Sequence, residues 1–205
     1  MGLSEGSAMK KLFLFIFGII LVSSFSGCTD NTDYVAKGDS YLSQGRYEMA
    51  ILNYDIALDS IFYKINPNDE IYKNKGIALE NLERYDESLS SYVRAYEIDP
   101  ENIDTLCHVG NLLLKLERYN DALPYYEKAL SIKPETEDAL YGKARVLQFQ
   151  ENYAQANGYY DEVLILNENN TQALYNKGLT LQKIGKYSEA NIYIERAKEL
   201  TNAQN

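Results

Sequence analysis

Tyr85, Tyr119, Tyr153 and Tyr187 stand at one constant step, 34 positions each time, and three further columns keep it. Gly76, Gly110, Ala144 and Gly178 form one, Ser88, Ala122, Ala156 and Ala190 another, and Ala95, Ala129, Val163 and Ala197 the third. A fixed period of this length marks a solenoid, because a unit too small to bury its own apolar face must stack on copies of itself. The stretch 103–136 shows what one unit contains. Leu106, Val109, Gly110, Leu113 and Leu116 recur at helical spacing, and the polar break Glu117-Arg118-Tyr119-Asn120 follows. Ala122, Tyr125 or Tyr126, Ala129 and Ile132 then take the helical spacing up again. Each period is therefore read as a helical hairpin. Small residues in two columns let antiparallel helices approach, and large ones such as Leu106, Leu113 and Tyr126 fill the space between hairpins. The tyrosine that opens each second helix packs at the corner of its hairpin.

Five copies in register read 31–68, 69–102, 103–136, 137–170 and 171–204. The order small residue, tyrosine, alanine, aromatic, alanine, proline is carried by Gly110, Tyr119, Ala122, Tyr126, Ala129 and Pro134, and it resembles the tetratricopeptide repeat. The resemblance runs through all five copies. It implies an all-α, right-handed superhelical solenoid of five antiparallel helical hairpins over 33–205, a protein-binding scaffold rather than an enzyme. The first copy is longer, since Gly38 and Gly76 are 38 apart. The extra four residues amount to about one helical turn, so the spacing predicts a second helix lengthened by a turn, with Ile61, Phe62 and Ile65 as added packing. Pro124 is expected near the end of its helix's first turn, where a missing N–H costs least.

The segment 1–28 stands outside the period. Lys10-Lys11 precedes an unbroken apolar run from Leu12 to Val22, and small residues lead to Gly27-Cys28. That is the layout of a signal peptide, and the run is well short of the ~20 residues of a spanning helix. Its end is similar to a prokaryotic lipobox, which implies lipidation of Cys28, with Phe25 departing from the usual aliphatic residue. An uncleaved signal anchor is the other reading. Both place the repeats on the extracytoplasmic face of the cell membrane, behind a short linker at 29–32. Met9 is a more natural start than Met1, and Asn169 lies in a glycosylation-type triplet of neutral weight.

The whole chain carries −10, and the part after Cys28 carries −11, because Lys10, Lys11 and Glu5 leave with the leader. Such a charge repels nucleic acid and anionic headgroups. Cys107 is the only cysteine after Cys28, which leaves stability to packing. The sole histidine, His108, adjoins Cys107, and neighbours on a helix point about 100° apart, too far for a nucleophile–base pair. Asp104 and His108 lack a third ligand nearby, and His108 reads as a surface histidine on a polar helix face. No catalytic residues, metal site or cofactor are expected.

The expected function lies in a surface. Stacking turns first helices toward a concave groove. The residues opposite the core stripe include Lys73, Asn74, His108, Asn111, Tyr141, Arg145, Phe149, Tyr175 and Asn176, with Cys107 at the border. Amides satisfy main-chain groups and rings give apolar anchors, which suits a protein or peptide segment. The clamp that related repeats use for acidic chaperone tails is not formed, since the matching sites read Lys73 and Ile77, His108, then Asp138 and Gly142. The alternative is self-assembly through solenoid ends or surfaces. Outer sites on second helices pass from Leu123 and Leu130 to Asn157 and Leu164, and end on Asn191 and Lys198, so a monomer is expected.

Overall fold

The computed structural model describes residues 33–203, and the expectations for Cys28, the leader and the linker lie outside the described residues. Among the described residues every regular element is a helix. They are α1 (33–43), α2 (Tyr47–Asp59), α3 (Ile61–Ile65), α4 (Asp69–Asn81), α5 (Tyr85–Ile98) and α6 (Ile103–Lys115). There follow α7 (Tyr119–Ile132), α8 (Glu137–Phe149), α9 (Tyr153–Leu166), α10 (Thr171–Lys183) and α11 (Tyr187–Ala203). The fold class is an all-α solenoid of helical hairpins. The chain divides into two compact units, with the boundary between Ser91 and Tyr92.

In the first unit α2 packs on α3 and α4 around Tyr54, Ile71 and Leu79, all almost completely buried. Ser88 explains its place in a column of alanines. It is buried, and its hydroxyl donates to the Gly76 carbonyl at 2.8 Å. In the second unit each helix from α6 to α11 packs on the next. The core there is made of Leu106, Val109, Leu112, Leu140, Val146, Val163, Leu174 and the alanine columns. Asn68, Asn102 and Asn170, which precede first helices, accept from the backbone N–H three residues on at 3.3, 3.0 and 2.8 Å.

The first copy departs from expectation. α2 stops at Asp59, because Ser60 is extended (φ −68°, ψ 149°), and a separate five-residue helix follows. Only Tyr63 of that helix packs inward. Ile61, Phe62 and Ile65 are 76, 39 and 71% exposed, so they are not core. Pro124 likewise stands in the sixth position of α7, beyond the first turn.

Two periodic devices were not anticipated. The first closes the hairpin turns. Gly45, Glu83, Glu117, Glu151 and Gly185 all have positive φ, between 58° and 81°. Just after each, a backbone N–H returns to a carbonyl five residues earlier, as in Arg118 to Leu113 at 2.8 Å and Lys186 to Leu181 at 3.0 Å. That is the C-terminal cap glycine normally supplies, here made three times by glutamate. The second device joins successive hairpins. Lys75 pairs with Asp55 at 2.5 Å, Lys143 with Glu127 at 3.0 Å, and Lys177 with Asp161. Burial pulls the Lys177 ammonium down, yet Asp161 and the Tyr193 hydroxyl outweigh it and hold its pKa raised. At the remaining junction the matching residues are Val93 and Val109.

Candidate functional site

In the first four hairpins the buried ring is not the opening tyrosine. Tyr54, Tyr92, Tyr126 and Tyr160 are 0% exposed, whereas Tyr47, Tyr85, Tyr119 and Tyr153 are half-buried and Tyr187 is exposed. The glycines of the first helices make room for these rings rather than for a helix backbone. A Cβ on Gly38 would meet Tyr54 at 2.4 Å, and one on Gly110 would meet Tyr126 at 2.7 Å. Burial raises the pKa of Tyr54, Tyr126 and Tyr160, so the hydroxyls stay protonated and act as donors.

Each hydroxyl emerges among the residues expected to face the groove. Tyr54 donates to Asp39 at 2.7 Å, and Asn74 donates to the same carboxylate at 3.0 Å. Tyr126 donates to Asn111 at 2.7 Å. Arg145 holds the Asn111 column one repeat later and cannot accept, and Tyr160 turns instead to Gln148 at 2.6 Å. His108 stacks on Tyr92 with ring centroids 5.2 Å apart and 15° between planes, its Nδ1 3.5 Å from the hydroxyl. It is half-buried and engaged, not a free surface histidine. The first and second helices thus share a seam of polar contacts that keeps these side chains in fixed positions.

The nine expected groove residues separate by unit. Lys73 and Asn74 lie on α4 in the first unit. Lys73 is buried and its ammonium pairs with Glu70 at 2.9 Å, which takes it out of any open face. The other seven lie on α6, α8 and α10, and on α8 and α10 four of them form a connected cluster. Asn176 donates to the Tyr141 hydroxyl at 2.9 Å, and Arg145 donates to the same oxygen at 3.3 Å. The Arg145 guanidinium also lies 5.2 Å from the Phe149 ring centre, and Phe149 stacks on Tyr119 at 4.4 Å. Among the described residues no carboxylate pairs with Arg145. Tyr175, 47% exposed, stands beside this cluster. A cleft of about 560 Å³ opens against Tyr141, Gln172, Tyr175 and Asn176, closed on its other side by Lys198 and Thr201 of α11. The contribution of α11 was not legible in the sequence, where second helices were assigned to the outside.

Cys107 is buried rather than at a border, and burial pushes its thiol up to about 12, so it is neither accessible nor ionised at neutral pH. No three His, Cys, Asp or Glu side chains are grouped to hold a metal ion among the described residues, and no described helix is long and apolar enough to cross a membrane.

Family models of the tetratricopeptide repeat match residues 68–135 and 34–60, and a model of the anaphase-promoting complex, cyclosome, subunit 3 matches 115–197. Among solved structures, the crystal structure of the MamA protein is similar at a TM-score of 0.72 and 20% identity, covering 84% of this chain and 92% of that one. YrrB, described as a tetratricopeptide protein with an unusual peptide-binding site, is similar at 0.68 and 23%, covering 82% and 84%. At these identities the likeness is one of fold. No curated protein matches the chain.

Proposed function

We propose that the chain is a non-enzymatic scaffold whose α8–α10 face grips a peptide or protein segment that offers a carboxylate to Arg145. Tetratricopeptide repeats typically mediate protein–protein interaction, and the peptide-binding site ascribed to YrrB supports the same reading here. The observation that carries it is the Arg145 guanidinium. In a chain of net charge −10 it is held between Tyr141 and Phe149 without a carboxylate of its own. A guanidinium so positioned reads a planar anion with little ordering cost. Tyr175 supplies the adjoining apolar anchor, and Gln172 and Asn176 supply amides for main-chain groups.

The test is selection of peptides from a random library on the immobilised protein. Selected peptides should carry a carboxylate and lose about 2 kcal/mol or more with Arg145→Ala, the scale of an interface hot spot. Tyr175→Ala should weaken them as well. Peptides indifferent to both substitutions sink the assignment. Tyr141 is a poorer probe, because it packs on the core cluster around Tyr160.

The scaffold is further proposed to be tethered on the extracytoplasmic side, from the apolar run Leu12 to Val22 and its Gly-Cys end. Cys28→Ala should then abolish labelling by a lipid probe, and unchanged mobility with unchanged membrane partitioning in that variant would leave the uncleaved anchor instead. Self-assembly is the second reading, supported by Tyr187 and Ile192, 65 and 69% exposed on α11. Against it, Lys198 and Arg196 on the same helix are engaged in ion pairs at the surface.

A further inference from the structure

We propose that α3 is a membrane-contacting tip whose Ile61, Phe62 and Ile65 enter the apolar edge of a phospholipid bilayer; the proposal rests on the tethering reading. The argument begins with topology. Tyr54 of α2 donates to Asp39 of α1, and the turn between the helices spans only residues 44–46, so the two run antiparallel. The start of α1 and the end of α2 are therefore at the same end of the hairpin, and α3 continues from there. Tyr34, in the first turn of α1, joins the same apolar cluster as Tyr63 of α3. The chain enters the hairpin beside α3.

Length supplies the second step. The chain from Cys28 to Asp33 reaches at most ~18 Å even when extended. A bilayer holding Cys28 must then lie within that short reach of this end of the first unit, and one holding the apolar run that ends at Val22 within ~40 Å of it. The third step is the chemistry of the tip. Burying the three side chains in water-free surroundings is favourable, and among the described residues Ile61 and Ile65 are left more than two-thirds exposed and Phe62 39% exposed. The two charges on the tip, Asp59 and Lys64, pair with each other at 2.7 Å. The contact is thus apolar rather than electrostatic, which suits a chain whose net charge would repel anionic headgroups. Two other occupants are conceivable: the chain's own segment 12–22, or a second copy of the chain.

The chain contains no tryptophan, so a single substitution gives a clean reporter. Full-length protein carrying Phe62→Trp is reconstituted into vesicles of zwitterionic phospholipid, with Ile192→Trp on α11 as the reference. The Phe62→Trp emission should shift to the blue, lose most of its intensity with acyl-chain-brominated lipid, and resist aqueous iodide at any salt concentration. The Ile192→Trp emission should respond to iodide alone. Ile65→Trp repeats the reading should Phe62→Trp fold poorly. A protein that stays with the vesicles while its Phe62→Trp reporter is as open to iodide as the reference overturns the contact and leaves the tether standing. A reporter shielded from iodide but untouched by brominated lipid also overturns it, in favour of the chain's own segment or a second copy. Protein that does not associate with vesicles at all overturns the tether, and the tip contact with it.

Discussion

Tyr126 and Ile194 hold the same column in two hairpins of the second unit, one inside the stack and one at its end. The Tyr126 ring is fully buried between two glycines. A Cβ on Gly110 would lie 2.7 Å from it, and one on Gly142 only 2.2 Å. Its hydroxyl crosses to Asn111 on the groove side. Ile194 is only half-buried and faces a single glycine, Gly178, whose Cβ would lie 2.5 Å from its Cγ1. The Tyr126 ring fills the gap to its own first helix and to the first helix of the next hairpin, and its hydroxyl also fixes a polar residue on the groove face. Among the described residues Ile194 has only the first helix of its own hairpin to pack against at this place, and an aliphatic side chain fills it. The side chain in this column thus follows the number of first helices that pack against it among the described residues.

Truncation tests that contrast most strongly. Tyr126→Ala should lose about 3–5 kcal/mol in urea unfolding, the range for a large buried side chain. Ile194→Ala should lose about 1–2 kcal/mol, in line with its partial burial. Equal losses would mean that the terminal hairpin is packed as tightly as the internal ones. Added bulk comes next. Gly142→Ala drives a Cβ into a rigid ring and should destabilise by about 1–3 kcal/mol. Gly178→Ala meets Cγ1 of the half-buried Ile194 and the Ala190 carbonyl at 3.1 Å, but Ile194 has room to turn outward and the better helix propensity of alanine offsets part of the strain, so its loss should be smaller. A reversed order would show that Tyr126 can shift and Ile194 cannot.

The turns give the smallest effect. Glu117 occupies a left-handed conformation that an internal hairpin tolerates, whereas the terminal hairpin uses Gly185. Glu117→Gly should gain roughly 0.5–1 kcal/mol by relieving that backbone, and Gly185→Ala should lose about 1 kcal/mol by imposing it. Thermal unfolding of the two variants is sufficient. Loss on Glu117→Gly would show that its side chain contributes more than its backbone costs.

How much of this was open to reading depends on what repetition preserves. The columns of Gly, Ala and Tyr announce the hairpins because side-chain size returns at each step of 34. The repeat pattern placed Tyr126 between hairpins, where it is buried, although helical spacing alone admits either ring of the Tyr125-Tyr126 doublet. The left-handed turn went unread, since only Gly45 and Gly185 hint at it and the glutamates between them carry no turn propensity. Helical character in Ile61 to Ile65 was real, yet residue types do not reveal that Ser60 is extended and cuts one helix into two. On the candidate face, Tyr141, Arg145, Tyr175 and Asn176 were found by phase alone. Lys73 was misplaced because phase does not record that a long side chain can fold back to Glu70. The wall of the cleft from α11 needed a view across three helices.

The ion pairs between hairpins fix an order as well as an attachment. Reading each junction as a letter, the chain spells charge at Asp55–Lys75, oil at Val93–Val109, then charge again at Glu127–Lys143 and Asp161–Lys177. Exchanging the third and fourth hairpins would set Lys143 against Val93 and Asp161 against Val109, and two junctions would be misspelled at once. The repeats share one shape but are not interchangeable parts: the sequence of the stack is proofread by its own seams.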